Sequence, residues 1–299
     1  MISGRPRTGN QGHHRRTEHS RSGRELFLKP VTGRPPLPEY VAQLWQRRHF
    51  IKAEARAKAF SGTRNMVLGN LWLIIGPFLD VAVYGLIFGM ILKTSRGIDQ
   101  FVPYLVVGVI LFRMLAKDLN DGSNLIRSHR NIIKAFPFPR AALVFSLKLR
   151  GIYDSLPPII VLLLFIYLYP NGPNPNWTAV LFFPVFCLLK LFGTGLTFLS
   201  AWMTHIIPDL SKIIQFFSRF WFYISGVFFS IDRFVEQPQL LKIMQGNPAY
   251  QILSMSRDLL IYNVLPPLDS WIFVSAWSCT TLIIGFILFW TREVKYAKF

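Results

Sequence analysis

Six apolar stretches alternate with short polar connections along this chain: roughly Val67–Leu92, Phe101–Asn120, Ala141–Tyr169, Trp177–Thr204, Ile213–Ile231 and Ser270–Trp290. A helix needs about 20 residues to cross the hydrocarbon core of a bilayer. Lipid offers no partner to an unpaired backbone group, so stretches of this length are predicted as helices. The pattern is that of an all-α integral membrane protein with six transmembrane helices.

Three further patterns interrupt the alternation. Pro38–Phe60 is helical in composition, with Pro38 suited to a first helical turn. Tyr40, Leu44, Ile51 and Ala55 share one face, and Arg47, Arg48, Lys52, Arg56 and Lys58 coat the helix. A basic helix with Trp45 and Phe50 just before a first span is expected to lie along the membrane surface. An ordinary helix packed on a partner is the competing reading.

Between spans two and three, an apolar ridge of Leu125, Ile126, Ile132, Ile133 and Phe136 runs among Arg127, Arg130, Lys134 and Arg140, and stops at Pro137 and Pro139. Proline blocks helix continuation and drives the residue before it to extended backbone. The expectation is a short amphipathic helix on the inner membrane surface over about 124–136, then a sharp turn into span three. A solvated loop that only enforces topology would not need the ridge.

Between spans five and six, residues 233–268 are apolar but broken by Gly246, Pro248, Pro266 and Pro267. Each half is about a dozen residues, too short to cross. A re-entrant hairpin of two short helices is predicted, its backbone buried against protein or facing water. Such a segment suits an outer gate, with Asn247, Pro248, Tyr250, Arg257 and Asp258 as its candidate residues.

Charge sets the orientation. The chain carries 33 Lys and Arg against 15 Asp and Glu, a formal +18 over 299 residues. Spread over a soluble surface, that excess would point to nucleic acid. Instead, fourteen Lys and Arg precede residue 65 against Glu18, Glu25, Glu39 and Glu54. Further basic residues, among them Lys117, Lys212, Arg292, Lys295 and Lys298, fall on the same side, whereas Tyr169–Trp177 has none. The positive-inside bias places both ends in the cytoplasm.

Residues 1–36 hold too few large apolar side chains for a core and are expected to be a disordered basic tail. An interface helix over 37–64 and a six-span domain over 65–299 follow. The first thirty residues contain no apolar segment before a cleavage site, so no secretory signal is expected. Cys187 and Cys279 lie within spans and serve as small apolar fillers. His13 and His14 have no further ligands to complete a metal site, and no metal is expected.

Four ionisable residues fall inside spans: Asp80, Arg113, Asp154 and Lys190. Each sits about twelve or thirteen residues from a helix start, close to the midplane of a core about 30 Å thick. Two acids and two bases can cancel, so interhelix charge pairs are favoured over a proton relay. Phe216, Phe220 and Tyr223 share a face of span five, and Trp72 and Tyr84 lie in span one. Aromatic faces of this kind pack on the C–H faces of sugars and could line a glycan path; lipid-facing or core packing competes for each ring.

Catalytic signatures are missing. No HExxH, paired cysteine or nucleophile elbow occurs, Asp99, Asp232, Asp258 and Asp269 are scattered, and His205 stands alone near Asp209. No ion-filter motif is present either. No catalytic residues are expected.

Leu68–Pro77 (LGNLWLIIGP), Ile133–Arg140 (IKAFPFPR) and Asn247–Pro248 followed by Arg257–Leu260 (RDLL) occur in this order across residues 38–299. Together they resemble the membrane subunits of type-2 ABC exporters for polysaccharides such as O-antigen, teichoic acid or cell-wall galactan. The first looks like the start of that family's first span, the second like the stretch after its coupling helix, the third like its outer re-entrant region. Pro137 and the long Arg-rich tail depart from the pattern.

The resemblance implies a homodimer that engages two cytoplasmic ATPase subunits and moves a lipid-linked polysaccharide across the cell (inner) membrane. It implies that Leu125, Ile126, Arg130, Ile132, Ile133, Lys134 and Phe136 dock on the ATPase, with help from the Pro38–Phe60 helix. The chain has no GxxxxGK[ST] sequence, so no cofactor is expected in it; ATP and Mg would belong to the partner. An integral membrane glycosyl- or acyltransferase is the alternative function, and it has no need of an ATPase.

Overall fold

A computed structural model of the chain describes residues 35–61, 100–136, 138–170, 176–230 and 238–297, with isolated positions between 75 and 98 and at 172 and 174. The tail before residue 35, most of the first span and the first residues of the outer hairpin lie outside the described residues, and so do Trp72, Asp80 and Tyr84.

Every regular element among the described residues is helical. The expected surface helix is two, α1 (Leu37–Gln46) and α2 (Arg48–Ser61), separated at Arg47, whose N–H is shared between the Gln43 and Leu44 carbonyls. Of the expected face, Tyr40, Leu44 and Ala55 are buried and Ile51 is half-buried, while Trp45 is exposed.

Helix α3 (Phe101–Ser128) runs eight residues past the expected end of span two and takes in the first part of the expected coupling helix. At 28 residues it is about 42 Å long. The chain breaks at His129 and resumes as the six-residue α4 (Arg130–Ala135). Phe136 then turns extended (φ −133°, ψ 134°), as a residue before proline should.

Helix α5 (Ala141–Leu168) follows, with Pro157 and Pro158 inside it. A 3₁₀ turn (Trp177–Leu181), started by the Asn176 side chain on the Trp177 N–H, leads into α6 (Phe182–Ile206). Helix α7 spans Leu210–Ile224. The outer hairpin is α8 (Pro238–Gln245), α9 (Pro248–Arg257) and a π turn (Asp258–Tyr262). Helix α10 (Leu268–Thr291) and a 3₁₀ turn at Lys295–Ala297 finish the described chain.

Among the described residues three helices are long and apolar enough to cross a membrane: Ala141–Leu168, Trp177–Ile206 and Leu268–Thr291. Span five differs from the expected Ile213–Ile231. Helix α7 has 15 residues, about 22 Å, well short of a core about 30 Å thick. It stops because Ser225 turns its hydroxyl back onto the Trp221 carbonyl and Gly226 takes φ +64°, a left-handed conformation open to glycine.

Among the described residues two apolar clusters fill the bundle. The larger one joins α3, α5, α6 and the hairpin; the smaller one joins Tyr40 and Leu44 to Leu125, Val144, Phe198 and Phe289. Helices α6 and α10 meet backbone to backbone. A Cβ on Gly195 would stand 2.6 Å from the Thr281 and Leu282 backbone, and one on Gly285 would stand 2.7 Å from the Gly195 carbonyl oxygen. Small residues permit that approach where lipid supplies little hydrophobic drive between helices.

Candidate functional site

The inner end of the bundle is tied at one carboxylate. Glu293, just beyond α10, accepts the Tyr40 hydroxyl at 2.7 Å on one oxygen. Its other oxygen accepts the Arg140 backbone N–H at 2.9 Å and the Arg140 guanidinium at 3.1 Å. The Tyr40 oxygen accepts the Ala141 N–H at 3.1 Å. The surface helix, the start of α5 and the C-terminal turn are thus joined through two side chains. Burial pushes both the Glu293 carboxyl and the Tyr40 hydroxyl up from their ordinary values, and the donors around Glu293 oppose its shift.

The coupling segment presents less apolar surface than its sequence promises. Leu125, Ile126 and Ile133 are packed into the inner core, because α3 carries the first two past the expected end of the span. Ile132 is half-buried, Arg130 and Lys134 are exposed, and Phe136 is 64% exposed. What remains for a partner is a basic edge with one large ring.

At its corner, His129 meets the Leu125 carbonyl through Nδ1 (2.9 Å) and Lys58 Nζ of α2 through Nε2 (2.7 Å). Nδ1 therefore carries the proton and Nε2 accepts from the ammonium, which requires a neutral ring. Burial, and then the Lys58 charge, hold the His129 pKa below its ordinary value.

Between α3 and α5 lies a charged cleft of about 440 Å³ whose walls include Arg113, Lys117, Asp118, Asp154 and Lys190. Charges pair across helices here, Asp154 of the expected four among them, while Asp80 lies outside the described residues. Asp154 binds Lys117 at 2.9 Å and Arg150 at 3.5 Å rather than Lys190, and Lys148 binds Asp118 at 2.7 Å. Lys190 points its ammonium over the Phe186 ring, 5.3 Å from the centroid. Lys117 lies one turn beyond Arg113 on the same face of α3. Gly193 of α6 stands against Asp118, leaving no room for a Cβ.

Four of the five outer-gate residues act around the end of α7. Asn247 caps α9 by accepting the Ala249 N–H (3.1 Å), accepts the Trp221 indole N–H (3.0 Å) and donates to Ser225 Oγ (3.1 Å). Pro248 opens α9 beside it. The Tyr250 ring stands 2.8 Å from where a Gly226 Cβ would lie.

Arg257 is 2% exposed and donates to the carbonyls of Tyr104 (3.2 Å), Gly226 (3.1 Å) and Val227 (3.4 Å). Gly108 makes room for it, since a Cβ there would strike the guanidinium. Asp258 begins the π turn. The arrangement satisfies carbonyls that the early end of α7 leaves without helical partners.

Phe216, Phe220 and Tyr223 form an outward face of α7, at 73, 55 and 60% exposure. Trp221 turns inward, edge-on to Phe112 at 5.4 Å. Glu293, Asp118, Lys148 and Tyr104 are the residues that sequence reasoning missed. A lone acid in a basic C-terminal stretch (Arg292, Glu293, Lys295) was the available signal for the first. No group of three metal-binding side chains occurs among the described residues.

Residues 53–261 match the family described as ABC-2 type transporter. The chain is 23% identical over 262 residues to the O-antigen export system permease protein RfbA of Myxococcus xanthus, covering 86% of this chain and 98% of that one. It is 22% identical to a protein of the same name from Klebsiella pneumoniae over 68% of this chain and 76% of that one. It is 22% identical to the polysialic acid transport protein KpsM of Escherichia coli over 76% of this chain and 86% of that one.

Proposed function

The chain belongs to the ABC-2 type transporter family, multi-pass membrane permeases that work with a separate ATPase subunit, and on that premise we propose that it is the membrane subunit of an ATP-driven exporter of a lipid-linked polysaccharide. It acts as a homodimer in the cell (inner) membrane with both termini in the cytoplasm, engages two ATPase subunits that hold ATP and Mg, and has no nucleic-acid partner.

The observation that carries the reading is the early end of α7 beside the hairpin. A helix too short to cross is completed by a hairpin that does not span, fixed to it through Asn247, Tyr250 and Arg257. Non-spanning backbone at that depth has a place only where protein or a water-filled path surrounds it. The exposed basic edge at Arg130, Lys134 and Phe136 supplies a surface for the ATPase. The aromatic face of α7 offers stacking surface to sugar rings.

The test is co-purification with a separate ATPase and loss of surface polysaccharide on deletion of the chain. An isolated chain that transfers sugar or acyl groups without any ATPase would favour the transferase alternative.

A further inference from the structure

Helix α4 has six residues, well below the about 12 to 15 that an isolated helix needs to hold its shape in water. It sits between the break at His129 and the prolines Pro137 and Pro139, so neither flanking helix continues into it. Its geometry has to come from what it rests on. Ile133 is buried in one cluster with Tyr296 and Phe289, and α4 packs on the 3₁₀ turn at Lys295–Ala297. The Tyr296 ring is itself held between Phe289 of α10 (4.6 Å between centroids) and His205 at the end of α6 (4.4 Å).

The same turn caps α5. Arg140, at the N-cap of that helix, supplies no side-chain cap of its own. Its N–H goes instead to Glu293, and the next one, of Ala141, goes to the Tyr40 hydroxyl oxygen, whose proton Glu293 accepts. The helix dipole also favours a carboxylate at this end. Glu293 is in turn fixed to α10: the Arg292 and Glu293 N–H groups donate to the Phe289 and Trp290 carbonyls, and the Lys295 N–H donates to the Arg292 carbonyl. Backbone hydrogen bonds thus run from α10 through the turn to both contacts.

We propose that the C-terminal turn, residues 292–297, is a strut that braces α4 and the entry of α5 against α10, with Glu293 and Tyr296 as its positioning residues. The inference rests on the reading of α4 as the segment that faces the ATPase, and it adds a route. A load on α4 is carried to α10 through the turn as directly as it is carried to α5 through the chain. A free loop between α3 and α5 would deliver the load to those two helices alone.

The experiment is hydrogen–deuterium exchange of the purified full-length chain, read by peptide mass spectrometry. Amides that open as one unit exchange with one opening constant. In wild type, residues 130–136 and 292–297 are expected to do so. Glu293→Gln should speed exchange about tenfold, the equivalent of one charge-assisted hydrogen bond, in the turn and at 140–143. It should do the same in α4, to which Glu293 makes no hydrogen bond among the described residues. Ile133→Ala, at the opposite contact, should speed exchange in the turn and at 140–143, because such coupling is reciprocal.

Faster exchange confined to the turn and residues 140–143, with α4 unchanged, would reduce Glu293 to a local cap and overturn the strut. Unchanged exchange in every segment would overturn it as well. If Glu293→Gln exchanges faster throughout the chain, Tyr40→Phe, which removes only a hydroxyl, is read in its place and has to show the same paired rise. The route is read in the complex with the ATPase, where Glu293→Gln should keep ATP hydrolysis and lose most of the export; full export would overturn it. If deleting the chain leaves surface polymer unchanged, the export reading fails while the exchange result stands.

Discussion

The Arg257 guanidinium lies over the Tyr104 ring, 3.5 Å from its centroid, and both side chains donate to the same carbonyl, that of Gly226, at 3.1 Å. Among the described residues this buried cation has no carboxylate in salt-bridge contact; its solvation comes from an aromatic face and three backbone oxygens. Two of those oxygens, on Gly226 and Val227, follow the C-terminal end of α7, where a helix favours positive charge; the third, on Tyr104, belongs to α3. The hairpin is therefore attached to the bundle by a buried charge that Tyr104, Gly226 and Val227 solvate.

Replacing Arg257 with Lys keeps the charge but loses the planar fork, so one ammonium cannot serve Tyr104, Gly226 and Val227 together. A loss of about 2–3 kcal/mol is expected in detergent unfolding. Gly108→Ala, which crowds the guanidinium, should act in the same direction. Both variants should make proteoliposomes leakier to small ions; a Lys variant that is as tight and as stable as wild type would refute the outer gate.

Asp118 and Lys148 form a buried ion pair, with side chains 8 and 10% exposed. Lys148→Met alone should destabilise the chain by about 3–5 kcal/mol, because a carboxylate is left buried without its cation. Adding Asp118→Leu should recover much of that loss. Thermal denaturation of the four proteins of the cycle reads the coupling directly, and additive effects would remove the pair from the account of stability.

The His129–Lys58 contact needs a neutral imidazole. A folded-state pKa below the unfolded value of about 6.5 means that the unfolded chain binds more protons as pH drops. The contact's stabilisation is fully present above that value and falls away as pH goes below it. Wild type is expected to lose thermal stability on acidification from about pH 7 to about pH 5. In His129→Gln this share of the pH dependence should disappear, while identical pH profiles would count against it.

Phe136 is exposed and buries little within the chain, so Phe136→Asp should change stability by no more than about 0.5 kcal/mol. At the centre of the basic edge offered to the ATPase, the same change should abolish co-purification with that subunit and with it export. ATPase binding that survives Phe136→Asp together with Lys134→Glu would place the docking surface elsewhere.

The long apolar helices were legible because period and length alone determine them. Ala141–Tyr169 and Ser270–Trp290 agree with α5 and α10 to within a few residues. The end of α7 was not legible. Ser225 and Gly226 sit in a run of aromatics as hydrophobic as any span, and the break is stabilised by Arg257, thirty-one residues away from Gly226. The partner of Asp154 was not legible for a related reason. Composition shows that Asp154 needs a cation but not which of Lys117, Arg150 and Lys190 the helix crossing brings within reach. The ridge Leu125–Ile133 was read as a docking face because its inner partners, Phe198 and Phe289, lie far along the chain.

The glycine contact between α6 and α10 has a mechanical consequence. Two backbones in direct contact have no side-chain layer to shear, so an axial slide drives one helix into the other's main chain at Gly195 and Gly285. The pair behaves as a stator. A displacement at the Glu293 end of the bundle has to be taken up where side chains separate the helices, at the α3–α5 cleft and along α7, and the fixed post gives that displacement its direction.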